Sequence, residues 1–457
     1  MLSAADARPR RWFGHPPGLT ILFLTEMWEV FSLYGMRAIL VLYLTTELGY
    51  SPAKASLVFG FYAASTYFTP LFGAVVAARW LGQRRSVLVG SVVMAAGHFM
   101  MAFDVLLYPA LAVIALGNGL FMPNLASQIH GLYRPGDPAR ERGYNLYYVG
   151  VNLGGFLAPL ICGTLGETLG WHWGFGAAGV GMLMGLGVFT AGWRHLPERS
   201  VSPSATEEEP DDRRTAYRFG VLAWVLLFVV IYRIGYEQAG NTIMLWTAGH
   251  VDRGWAGGGA IPVSWFLSLN PLFVFALTPL LLWRWSRKAA AGRPVQPLRA
   301  MAMGALTTAA GFLILAAAAA SSGGAQVHWV WLVLFFLFYT AGEIQILPLG
   351  LAMFGGAVRG RGASLAIAVW FAAAFAGNLA AGFFGTWYGA ISPPSFFGIA
   401  AAIIALAAAA LALLQRLQLQ FADKRLSDRC NRDTCDCGGA GRRLAIAEQE
   451  MCDRSKA

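Results

Sequence analysis

Charge is scarce in this chain of 457 residues: Asp, Glu, Lys and Arg together make up 13%, against roughly 25% in soluble domains. That excludes an ordinary water-soluble globule, because 57% of the residues are hydrophobic and they come in long blocks. Cysteine is scarce too, with five in all, which excludes a disulfide-stapled extracellular scaffold. Cys162 falls inside an apolar block. Cys430, Cys435, Cys437 and Cys452 fall in the C-terminal tail at a spacing that fits no standard zinc pattern, and they read as free thiols. The sequence has no Gly-rich phosphate loop, no metal-ligand cluster and no nucleophile–base pair placed for hydrolysis. No enzyme activity, cofactor or metal is therefore expected.

What is present is hydrophobic length. A membrane-spanning helix needs about 20 consecutive apolar residues. Twelve segments qualify: 18–46, 55–79, 86–106, 108–133, 143–166, 174–194, 218–248, 263–286, 298–320, 328–355, 362–388 and 393–417. The first carries Glu26 and Glu29, which the apolar core of a cleaved signal peptide would not.

The net charge of +10 is a topology signal rather than a nucleic-acid footprint. Arg and Lys crowd the N-terminus, the C-terminal tail and every second loop. The alternate loops hold only Lys54 and Arg253, and Arg37 and Arg233 fall inside spans. By the positive-inside rule both termini are expected in the cytoplasm of a cell with this protein in its inner (plasma) membrane. The bilayer is then a partner, nucleic acid is not, and a monomer is expected.

The spans divide into two sets of six. Residues 1–17 form a cytoplasmic N-terminus, 18–194 a first bundle, 195–217 a linker, 218–417 a second bundle and 418–457 a tail without expected structure. The linker is polar and acidic, with Glu207, Glu208, Glu209, Asp211 and Asp212. Two such halves describe an all-α polytopic protein of the major facilitator fold, with substrate held at the midplane between them. Four carboxylates lie within the spans: Glu26, Glu29, Glu237 and Glu343. A charge there costs about 2.5–3.5 kcal/mol on insertion scales, so such residues usually line a polar path.

Local motifs sharpen this. The first span reads Glu26-Met27-Trp28-Glu29-Val30-Phe31-Ser32-Leu33-Tyr34-Gly35-Met36-Arg37. Further on stand Gly117-Asn118-Gly119 with Pro123-Asn124, then Tyr147 to Gly154 around Asn152. Tyr236-Glu237-Gln238-Ala239-Gly240, Asn270-Pro271, Glu343 with Pro348, and Trp370-Phe371 follow. Together they resemble the signatures of the proton-coupled oligopeptide transporter family. A basic stretch, Arg79 to Arg85, resembles the superfamily's loop between its second and third helices, with Ala78 where that pattern has Asp.

The resemblance implies roles. Arg37 and Glu237 would form a gating salt bridge near the outer face, with Arg233, one turn before Glu237, able to share it. Glu26, Glu29 and Glu343 would carry protons, since burial without a nearby cation favours the neutral acid. Tyr34, Tyr62, Tyr67, Asn152, Asn270 and Trp370 would contact a small peptide or peptide-like substrate. The departures are equally specific. The family's Arg in the first helix is Val30 here, its Lys in the fourth is Met122, and Leu33, Leu267 and Leu347 replace further polar residues. Two cations are lost while four acids remain. An acid-rich cavity is thus expected, disfavouring a free carboxylate, and the alternative is a facilitator or exchanger of a non-peptide solute, a cationic one included, on the same fold.

Overall fold

The computed structural model describes residues 14–134, 136–197, 212–255, 258–293, 295–357 and 361–435. Residues 1–13, the linker acids Glu207, Glu208, Glu209 and Asp211, and Cys437 and Cys452 lie outside them.

The described residues are helical almost throughout. The first half contains α1 (Pro17–Thr46), α2 (Pro52–Val76), α3 (Gln83–Met100), α4 (Leu107–Gly131), α5 (Ala139–Leu169) and α6 (Trp171–Ala191). Proline opens α1 and α2, where its missing N–H costs nothing, and the Ser51 side chain caps α2 by accepting from the Lys54 N–H at 3.3 Å. The second half contains α7 (Asp212–Tyr236), α8 (Thr242–His250), α9 (Leu269–Ala290), α10 (Pro297–Ser321), α11 (Val330–Glu343), α12 (Leu347–Ala357), α13 (Arg361–Gly385) and α14 (Pro393–Cys435). The only sheet among the described residues is a two-residue parallel pair, β1 (Val251–Asp252) with β2 (Val327–His328).

Eleven helical stretches among the described residues are long and apolar enough to cross a membrane, against twelve expected segments. The twelfth, 86–106, is α3. Its 18 residues open on Gln83-Arg84-Arg85 and so fall short in apolarity. It nevertheless packs between α4 and α6 as a member of its bundle. Three expected spans are interrupted. Residues 218–248 break at a 3-10 turn, Glu237–Gly240, between α7 and α8. Residues 328–355 break between α11 and α12, just before Pro348, whose ring cannot donate to the helical ladder. A 3-10 turn, Val263–Ser268, precedes α9. At the other extreme, α14 runs past the expected boundary at 417 to Cys435. The stretch 415–435 contains neither Gly nor Pro and is rich in helix formers, so this part of the tail has structure that its charge alone did not foretell.

Within the halves, α1 packs on α5 and α6, and α2 on α4; α10 packs on α11 and α14, and α7 on α13 and α14. Between the halves, α2 meets α13, and α5 meets α9 and the turn before it. The seam of α2 and α13 is closest toward the start of α2 and the end of α13, and it continues inward to Phe68 against Phe375, with ring centres 5.2 Å apart. A Cβ on Gly60 would stand 2.4 Å from the Cα of Gly382, so the two backbones touch there only because both residues are glycine. Ser56 donates to Asn241 Oδ1 at 3.1 Å across the same seam.

Glu167, near the end of α5, fastens this end further. Its carboxylate accepts from the Val263 N–H at 2.7 Å, the Ser264 N–H at 2.9 Å and the Ser264 hydroxyl at 2.7 Å. An acid of the first half thus caps the entry to α9 of the second. Hydrogen bonds to a charged group contribute about 1.5–3 kcal/mol each. Glu167→Ala is therefore expected to shift the closed end toward opening by at least about tenfold. Distances between spin labels at the ends of α5 and α9 would read this as a longer population absent from the unmodified protein.

Candidate substrate cavity

Between the halves lies a cavity of about 250 Å³, lined from α1, α2 and α5 on one side and from α7, α9, α11 and α12 on the other. Its residues fall into two polar groups, both built on helix interruptions.

The first group centres on Glu237, which opens the 3-10 turn after α7. Arg37 of α1 donates from Nη2 to Glu237 Oε2 at 2.9 Å, and Arg233 of α7 donates from Nη1 to Oε1 at 2.6 Å. One carboxylate therefore joins a guanidinium of the first half to one of the second. Arg233 and Glu237 are buried, at 5% and 7% exposure. Aromatic rings flank the cations: the Arg233 guanidinium carbon sits 4.7 Å from the centre of the Tyr67 ring, and that of Arg37 lies 5.4 Å from Phe59 and 5.9 Å from Tyr34.

The second group centres on Glu343, the last residue of α11. Tyr236 donates its hydroxyl to Oε1 at 2.8 Å, and Asn270 of α9 donates its amide to Oε2 at 2.5 Å. Asn270 also reaches Thr340 Oγ1 at 3.1 Å. Tyr339 stacks on Tyr236 with centroids 4.9 Å apart and donates to the Tyr236 carbonyl at 3.1 Å, which locks the ring that holds Glu343. Glu343 makes no ion pair among the described residues.

Of the residues singled out in the sequence, Tyr34, Arg37, Tyr67, Asn152, Arg233, Glu237, Asn270 and Glu343 line this cavity. The rest lie elsewhere. Glu26 lies beside Tyr147, and Glu29, 4% exposed, has no hydrogen bond or ion pair among the described residues. Tyr62 is buried and its hydroxyl lacks a partner there. Trp370 packs over Gly350, where a Cβ would approach the ring to 2.6 Å. The cavity therefore balances two carboxylates with two guanidiniums, and the acid-rich lining expected from the sequence is corrected. All four acids were counted into one cavity, but Glu26 and Glu29 do not line it. The residues missed were Tyr236, Tyr339, Tyr148 and Glu167. Tyr339 had a signal, lying four residues before Glu343 on the same helical face.

The sequence profile of the POT family matches residues 84–208 and 197–392. The chain belongs to the POT family. Among its relatives is the peptide transporter YePEPT of Yersinia enterocolitica, 32% identical over 456 residues, with 82% of this chain and 88% of the relative covered. A di-/tripeptide transporter of Lactococcus lactis is 30% identical, covering 75% and 84% of the two chains. Among solved structures, a crystal structure of a peptide transporter POT in complex with sulfate superimposes with a TM-score of 0.80 at 26% identity, covering 90% of this chain and 97% of that one. The fold is that of the POT transporters. Two lining positions, Leu267 and Leu347, are apolar where the family resemblance implies polar residues.

Proposed function

We propose that the chain is a secondary active transporter that moves small peptides or peptide-like solutes with protons by alternating access. It works in the inner (plasma) membrane, with both termini cytoplasmic. The observation that carries this reading is the cavity itself. It lies between two helical halves, is bridged by the Arg37–Glu237 pair, and holds a second carboxylate, Glu343, between Tyr236 and Asn270. The pair joins the halves and so can open and close with them. Glu343 has hydrogen-bond donors but no ion pair among the described residues, which leaves it able to take a proton or a substrate amine.

The positive-inside pattern orients the molecule. The fastened end, with Gly60, Asn241 and Glu167, then faces outward, and Tyr148 of the lining, 47% exposed, stands on the cytoplasmic side of Asn152. Such a state would release substrate inside. Counterflow tests the reading: vesicles containing the purified protein are loaded with unlabelled dialanine and given labelled dialanine outside. Rapid exchange is expected. Exchange no faster than in empty vesicles would sink the peptide assignment.

A further inference from the structure

We propose that Arg233 is the anion ligand of this cavity, receiving the carboxylate end of the substrate together with Arg37. The inference rests on the peptide-transport reading and adds to it the group that selects the substrate's charge.

Charge balance makes the first argument. Glu237 neutralises one guanidinium, yet two are bonded to it, so the cluster carries one net positive charge at the cavity wall. Donor count makes the second. A guanidinium has five N–H groups. Arg233 directs Nη1 to Glu237, while its buried Nε–H has no partner among the described residues. A carboxylate accepts two parallel N–H bonds from such a fork, and charge-assisted pairs of this kind are about twice as strong as neutral ones.

Position makes the third. The Arg233 stem runs against Gly377 of α13, where a Cβ would come within 2.7 Å of the Arg233 Cβ, and the Tyr67 ring covers the guanidinium at 4.7 Å. The side chain is therefore held at the wall and cannot fold back. The positions where the family resemblance places cations are apolar here, as Val30 and Met122, and neither lines the cavity. The positive pole has thus moved to α7. Glu343 supplies a negative pole in the same cavity, so a zwitterion can lie with its carboxylate at Arg233 and its amine at Glu343. A buried carboxylate without a partner is costly, so the arginine favours free acids over neutral analogues.

The test is competition of dialanine against dialanine amide for binding to the purified full-length protein, in unmodified form and as Arg233→Gln. The unmodified protein is expected to prefer the free acid by at least about tenfold. In Arg233→Gln that preference is expected to collapse to near unity, because the acid loses more affinity than the amide does. Equal binding of acid and amide by the unmodified protein would overturn the role of Arg233 and leave peptide binding standing. A free-acid preference that survives Arg233→Gln would overturn it as well. Binding of neither compound would overturn the peptide reading on which the inference rests. If Arg233→Gln does not fold, Arg233→Lys serves: it keeps the charge without the fork, so the preference is expected to fall severalfold, and an unchanged preference would overturn the proposal.

Discussion

Replacing Glu237 with Ala is expected to cost more than replacing either of its partners. The buried Arg233 guanidinium and the partly buried one of Arg37 would then lose their shared anion, and breaking a buried pair costs about 3–5 kcal/mol. Arg37→Ala is expected to be milder for the fold, because Arg233 still neutralises Glu237 at 2.6 Å. It removes the ion pair that joins the halves at the cavity, however, so transport is expected to fall by at least about tenfold while the protein remains folded. Melting temperature and counterflow rate separate the two effects: low stability and no transport for Glu237→Ala, near-normal stability and little transport for Arg37→Ala. Unmodified transport rates in Arg37→Ala, at normal abundance, would remove the gate from the mechanism.

The second large effect concerns coupling. Glu343→Gln keeps the size of the side chain and one acceptor for Asn270, and the Tyr236 hydroxyl can turn to accept instead of donate. The cavity is expected to keep its shape and lose its proton site. A gradient of one pH unit is worth about 1.4 kcal/mol per proton, or about tenfold accumulation for one proton per substrate. Glu343→Gln is expected to erase that accumulation while counterflow of dialanine continues at higher substrate concentration, since the amine loses the charge of Glu343 but keeps an amide oxygen to bind. Gradient-driven accumulation that persists in Glu343→Gln would assign coupling to another acid, with Glu29 the first to examine, because it is buried without a hydrogen bond or ion pair among the described residues.

The fold could be read from the sequence because membrane spans announce themselves by length and apolarity, and because Arg and Lys mark alternate loops. Arg233 and Glu237 could be brought together in advance by helical periodicity, and Arg37 with them because the family resemblance implies that pair and span direction puts the two at similar depth. Hydropathy averages over a window, though, and so it carries α7 through the turn at Glu237–Gly240 and α11 through the stop at Glu343. Those interruptions are what aim the two carboxylates into one cavity. Pro348 and the Gly240-Asn241 pair were the local signs of them. Glu167 was invisible for another reason. It falls just past the expected end of its span, where an acid is ordinary, and its partners are backbone N–H groups of residues 263 and 264, far along the chain. The separation of Glu26 and Glu29 from Glu343 is likewise a matter of how whole helices pack, which no spacing within α1 encodes.

Concentrative uptake by the unmodified protein tests the central claim most directly. Vesicles holding the purified transporter are made one pH unit more alkaline inside than outside and given labelled dialanine. The account predicts accumulation of about tenfold over the outside concentration, collapsing when a protonophore is added. Uptake that stops at equal concentrations inside and outside, with or without the gradient, would contradict it.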